Sequence, residues 1–135
     1  MIGVEEFVER LCLLGADRGP RGFPRRRRDR QILVKSMLLE MDGARVYTER
    51  EVNELLRSWS RDVAPAIEVD HVTLRRLLVD SGHLERTADG RAYRIGFPPL
   101  PVVFDLAVDT VDVRATVAAF RDHAAARRAG RKGAR

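Results

Sequence analysis

Apolar residues recur at helical spacing in several stretches of the chain, separated by segments that cannot continue a helix. Val4, Phe7, Val8, Leu11 and Leu14 repeat every three or four residues, which predicts an amphipathic helix over residues 3–15. The Gly/Pro/Arg-rich "GADRGPRGFP" that follows reads as a linker. From Arg30 to Met41 the chain is apolar nearly all round (Ile32, Leu33, Val34, Met37, Leu38, Leu39), the pattern of a helix buried on several sides. "GARVY" then reads as a short strand after a glycine.

"TEREVNELLRSW" opens with a capping box, Thr48 as N-cap and Glu51 three residues on, and carries Val52, Leu55, Leu56 and Trp59 along one face. "SRDVAPAIEVD" is a loop broken by Pro65. "DHVTLRRLLVDSG" is a further helix, capped by Asp70, stopped by Gly82 and turning Leu74, Leu77 and Leu78 inward. "HLERTADGRAYRIG" is a hairpin around Ala-Asp-Gly. After the proline-broken "GFPPLPVVFD", helical spacing resumes with Val113, Val117, Phe120 and Ala124 on one stripe, and "AGRKGAR" reads as a tail.

Helix, short strand, helix, helix, hairpin is the order of a winged helix-turn-helix. The sequence therefore predicts a mainly α fold with a small β-hairpin, and helices flanking it at both ends. Residues 1–21 form an amphipathic helix and basic linker, 22–96 the winged-helix domain, 97–129 a Pro-rich segment and C-terminal helix, and 130–135 a basic tail.

Charge changes this picture by its placement. The formal net charge is +5. Residues 17–30 hold seven Arg and two Asp, net +5, and residues 121–135 hold five Arg, one Lys and one Asp, again net +5. Residues 31–96 hold ten basic and eleven acidic groups, net −1. A basic arm and tail on a near-neutral body suit a phosphate backbone or an acidic protein surface; the alternative is a pair of solubilising termini. Arginines at the start of a helix are electrostatically misplaced by ~0.3–1 kcal/mol each, so the run Arg25, Arg26, Arg27, Arg28 and Arg30 points to an anion outside the protein.

Other chemistry finds little support. Cys12 is the single cysteine, on the apolar side of its segment, so no internal disulfide or thiolate cluster is expected. His71, His83 and His123 lie on different elements without metal-ligand spacing, and neither a glycine-rich phosphate loop nor a nucleophile elbow is present. The expectation is a non-enzyme without cofactor or metal. No apolar run approaches the ~20 residues of a membrane span, and the N-terminal stretch is acidic where a signal peptide is basic. The expected setting is cytoplasmic, without membrane contact.

The candidate contacts are to nucleic acid. On the third helix of the central unit they are His71, Thr73, Arg75 and Arg76. Arg75 and Arg76 lie about 100° and 200° round the helix from inward-facing Leu74, which leaves Arg76 best placed to bridge a guanine. Arg91 and Arg94 lie on the hairpin, and Arg127, Arg128, Arg131 and Lys132 at the C-terminal end. The Arg25–Arg28 run precedes the first central helix, where an arm can follow a groove. Val72 and Val79 also fall on the outward face of the third helix, a pattern that more often marks a protein contact. Duplex DNA is the favoured partner, with structured or ribosomal RNA and a protein-interaction module as alternatives. The two flanking helices should pack together, with a homodimer through them possible.

Two resemblances add to this. "TLRRLLVDSGHLER" resembles the recognition helix of sugar-responsive bacterial repressors through Thr73, Leu74, Arg75, Arg76, Gly82 and Leu84. More extensively, Phe23-Pro24 followed by Arg25 to Arg28, Tyr47 to Asn53, Leu74 to Asp80 with Gly82, Leu84 and Arg86, and Gly90 with Tyr93 resemble the bacterial family known as domain of unknown function 2087. That likeness spans roughly residues 22–95. It implies a helix-turn-helix-like domain of the kind found attached to transcription-factor modules.

Overall fold

The computed structural model describes residues 1–16 and 21–133. Its elements in chain order are α1 (Val4–Ala16), α2 (Arg27–Leu38), β1 (Tyr47–Thr48), α3 (Glu49–Asp62), α4 (His71–Asp80), β2 (Leu84–Arg86), β3 (Ala92–Ile95), a short 3-10 turn (Leu106–Thr110) and α5 (Val113–Gly133). The fold is mainly helical with one small antiparallel sheet.

Local chemistry sets most boundaries. In α3 the Thr48 hydroxyl accepts from the Glu51 amide at 3.1 Å while the Glu51 carboxylate accepts from the Thr48 amide at 3.0 Å, completing the expected capping box. Asp70 caps α4 by accepting from the Thr73 amide at 2.7 Å, and that bond holds the Asp70 carboxyl below its ordinary pKa. Gly82 ends the helix at φ +80°, a conformation that favours glycine. β2 and β3 form the expected hairpin, with Leu84 opposite Ile95 and Arg86 opposite Tyr93. β1 pairs with the other edge of β3, giving the strand order β1-β3-β2. The strand read as "GARVY" contracts to Tyr47 and Thr48, because residues 42–45 close a turn in which the Ala44 amide donates to Asp42 Oδ1.

α2 is the hub. Ile32, Leu33, Val34, Ser36 and Met37 are all buried, so neighbours surround it. Ser36 accepts from Trp59 Nε1 at 2.9 Å and itself donates to the Leu33 carbonyl, which pins α3 to α2 through a fully satisfied polar contact. The helix begins at Arg27, three residues before the expected start, and ends at Leu38 rather than Met41. In α4, Leu74 and Leu78 are buried and Leu77 is half-buried; Val72 and Val79, expected on the outward face, are half-buried too, with Val79 packed on the core.

The flanks are part of the same core. α1 buries Phe7, Leu11, Cys12 and Leu14 against α2 and α5, and burial pushes the Cys12 thiol pKa up. Val113 and Val117 of α5 are buried in turn, so the two apolar stripes expected to meet do so within one chain. Ile2 bridges the strand-like residue Phe104 through backbone bonds of 2.7 and 2.8 Å to its neighbours, and Phe7 packs edge-on against Phe104 at 6.1 Å. Arg114 joins three elements: its guanidinium donates to Glu40 after α2, and to Asp62 at 2.8 Å and Ser58 at 2.7 Å in α3. The basic tail at 130–135 continues the C-terminal helix as far as Gly133, since Ala and Arg are strong helix formers; residues 134–135 lie outside the described residues, as do 17–20 of the linker.

Gly15 marks the tightest approach of α1. An added Cβ would lie 2.6 Å from the Val63 carbonyl oxygen and 3.2 Å from the Ala64 Cα. Alanine gains up to ~1 kcal/mol of helix propensity, but overpacking against backbone costs about 1–3 kcal/mol. Gly15→Ala is therefore expected to lower the thermal unfolding midpoint, whereas Gly130→Ala, in open surroundings on α5, raises helix content without loss of stability; calorimetry and circular dichroism check both.

His83 supplies a pH signature. It is 5 % exposed and burial pushes its pKa below the ordinary histidine value. The unfolded chain then binds a proton that the folded one refuses, so stability falls as pH drops through about 6.5. Denaturant titrations at pH 7.5 and 5.5 should show this loss, and His83→Gln should flatten it.

Candidate nucleic-acid interface

Successive turns of α4 bring Thr73, Arg76, Leu77 and Asp80 onto one face, away from buried Leu74 and Leu78. With Ser81 and, from α2, Arg30, these residues line a single depression. Three of the expected contact residues, Arg30, Thr73 and Arg76, thus come together from two helices. Arg30 is held there from below: its guanidinium lies 5.3 Å from the centroid of the Phe23 ring and donates to the Pro24 carbonyl at 3.3 Å. That explains the Phe-Pro pair ahead of the arginines. Arg76 is exposed, and no hydrogen bond or ion pair engages its guanidinium among the described residues. Asp80 at the same depression tempers the positive charge, so a neighbouring base donor can be met as well as an acceptor.

Arg75 departs from expectation. Its guanidinium turns back to α3, donating to Asn53 Oδ1 and lying 3.3 Å from Glu49 Oε1, and its side chain is only 14 % exposed. Tyr93 on β3 donates to the same Glu49 oxygen at 3.0 Å. One carboxylate therefore joins α3, α4 and the hairpin, and Arg75 orients α4 rather than reaching outward. His71, in the first turn of α4, lies 3.4 Å from Arg57 Nη2. A guanidinium only donates, so His71 Nε2 accepts and only Nδ1 is left for an outside group.

The arginine run divides. Arg27 and Arg28 lie inside the first turn of α2 rather than ahead of it, and only Arg25 and Arg26 precede the helix. Arg28 forms a bidentate pair with Glu6 of α1, with bonds of 3.0 and 2.6 Å, which lowers the Glu6 pKa. Asp29 is buried beside it and receives Arg10 of α1 at 3.1 and 3.0 Å. Arg25, Arg26 and Arg27 are exposed and carry no acidic partner among the described residues, and no side chain caps the helix at Arg26. Backbone amides without a side-chain cap and three guanidiniums without an acidic partner among the described residues thus share the start of α2, a setting suited to phosphate.

On the hairpin, Arg94 pairs with Glu85 across the strands at 2.9 Å, while Arg91 is exposed with Asp89 at 3.9 Å. Arg86, which the sequence reading left out, is exposed on β2 without an acidic partner; strand alternation would have placed it on the face of buried Leu84, so no sequence signal pointed to it. Arg127, Arg128 and Arg131 lie on the exposed end of α5, and Lys132 is in the same helix.

A protein-family model described as "Uncharacterized protein conserved in bacteria (DUF2087)" matches residues 21–95, more than half of the 135-residue chain. The chain belongs to this family. No curated protein and no solved structure matches it. The DUF2087 domain runs from just before Phe23 to the end of β3, and so contains α2, α3, α4, the sheet and the depression lined by Arg30, Thr73 and Arg76. The partners that fix α2 from outside, namely Glu6, Arg10 and Arg114, lie beyond the DUF2087 match.

The two neighbouring arginines of α4 should fail differently. Arg75→Ala removes charged hydrogen bonds from a half-buried junction and is expected to cost about 1.5–3 kcal/mol of stability. Arg76→Ala, at an exposed position, should stay within about 0.5 kcal/mol of the parent. Urea titration of the two variants measures both.

Proposed function

We propose that this protein is a winged helix-turn-helix that binds nucleic acid, duplex DNA foremost, as a transcriptional regulator. The observation that carries the proposal is the meeting of Arg30, Thr73 and Arg76 in one depression beside the unpaired Arg25, Arg26 and Arg27. The order α2-β1-α3-α4-β2-β3 fits the fold, with α4 as recognition helix and the hairpin as wing. The likeness of Thr73–Arg76 to a repressor helix supports the same reading, reduced to Thr73 and Arg76 because Arg75 is engaged inside the fold. Arg25 to Arg27 would hold phosphates and Arg76 would read a base edge, with Arg86 and Arg91 beside the duplex backbone. Two copies joined through the flanking helices would suit paired half-sites. The exposed basic end of α5 favours a second reading, binding to structured or ribosomal RNA.

The test is fluorescence anisotropy with a duplex selected from a random library, its scrambled counterpart, and a structured RNA of equal length. Arg76→Ala should lose ~1–3 kcal/mol on the selected duplex and little on the scrambled one. Replacing Arg25, Arg26 and Arg27 together by alanine should weaken both alike and flatten the salt dependence by about 0.9 per lost phosphate contact. A selected-to-scrambled ratio unchanged by Arg76→Ala would remove base reading by α4. Tighter binding of RNA than of either duplex would favour the second reading.

A further inference from the structure

Away from the arginines, α2, the end of β3 and the segment 97–109 line a partly open cavity of about 410 Å3. That volume falls within the ~300–1,000 Å3 typical of small-molecule sites. Its walls are mainly apolar, with Val34 and Leu38 of α2 and Leu39 just after it facing Ile95, Phe97 and Phe104. Phe97 is 86 % exposed and adds apolar surface to the lining. Lys35 also lines the cavity, but its ammonium lies 2.6 Å from Asp109. The two charges cancel, which favours an uncharged ligand.

His83 gives the site its polarity. The Ser81 hydroxyl has one proton, donated to the Leu77 carbonyl at 2.8 Å with the Leu78 carbonyl at 3.2 Å. The same hydroxyl lies 2.8 Å from His83 Nδ1, so that ring nitrogen is engaged within the chain in either tautomer. Burial lowers the His83 pKa and so favours the neutral ring. Nε2 is left with no partner among the described residues, on a residue that lines the cavity and is nine-tenths buried. Gln31, whose amide is likewise unengaged, contributes a donor to the same cavity. A neutral imidazole nitrogen and a carboxamide in one apolar cavity complement a hydroxyl group, which can both give and accept a proton.

We propose that this cavity binds a small, flat, uncharged molecule bearing a hydroxyl, of the phenol class, whose ring packs between the aromatic and aliphatic walls and whose hydroxyl hydrogen-bonds to His83 Nε2. Aromatic rings suit the company of Phe97, Phe104 and Met41. The assignment stands independently of nucleic-acid binding.

The experiment is a methyl NMR titration of the full chain with p-cresol, toluene and benzoate, following Leu38, Met41 and Ile95. Saturable shifts with p-cresol are expected, with toluene weaker by roughly 3–10-fold for the missing hydrogen bond and benzoate weaker than p-cresol. His83→Phe should bind p-cresol and toluene alike, and Leu38→Trp, which fills the cavity, should abolish the shifts while circular dichroism shows a folded chain. Should either variant unfold, the comparison of the three probes on the parent protein decides alone. Absence of saturable shifts, toluene or benzoate binding as tightly as p-cresol, or shifts that persist in a folded Leu38→Trp would overturn the proposal.

Discussion

A helix buried over more than half of its circumference has to find a partner for each buried face, and α2 is such a helix. Five of the six residues from Ile32 to Met37 are buried, and at about 100° per residue they cover roughly 200° of the helix surface. Burying a large aliphatic side chain contributes about 1.5–3 kcal/mol, whereas an exposed ion pair contributes about 0.2–1 kcal/mol. Packing around α2 therefore decides the architecture, and the ion pairs orient what packs. α3 meets it through Trp59 and Ser36, α1 through Arg10 with Asp29, the 97–109 segment through Lys35 with Asp109, and α5 through Arg114 with Glu40. The first turn of α2 is where charge can reach water, and the arginines are there.

This resolves the apparent misplacement of positive charge at a helix start. The apolar pattern placed the beginning of α2 at Arg30, after Arg25 to Arg28. The chain instead tolerates Arg27 and Arg28 in the first turn because acidic groups stand close by, Asp29 in the helix itself and Glu6 from α1, more than twenty residues earlier. Arg28 and Asp29 become attachments for α1. Arg25, Arg26 and Arg27 have no such use within the described residues, and on them the proposed contact with phosphate rests.

What was legible in the sequence was short in range. The capping box at Thr48, the Asp70 cap, the stop at Gly82 and the hairpin each involve residues within a few positions of one another, and each formed as read. The mainly helical class and the family boundaries were equally readable, since they rest on periodicity and on several motifs in order. Long-range partners were not. Helical-wheel geometry could turn Arg75 sideways but could not know that Asn53 and Glu49 wait there. Nothing near Arg114 announces Glu40, Asp62 and Ser58 as its acceptors. The basic end looked like a tail because of its glycines, although its alanines and arginines continue the helix.

The same packing makes the segments outside the family match more than appendages. α1 packs against both α2 and α5, the 97–109 segment lines the cavity opposite α2, and Ile2 pairs with the strand-like residue Phe104. The central claim is that these flanks and the family domain form one cooperative unit around α2. Native-state hydrogen exchange of the full chain, read amide by amide at rising sub-denaturing urea, tests it most directly. The account predicts that Leu11 and Leu14 in α1 and Val117 in α5 exchange with the same opening free energy as Ile32, Leu33 and Met37 in α2. Exchange of the α1 and α5 amides through a much cheaper opening, with α2 still protected, would contradict it.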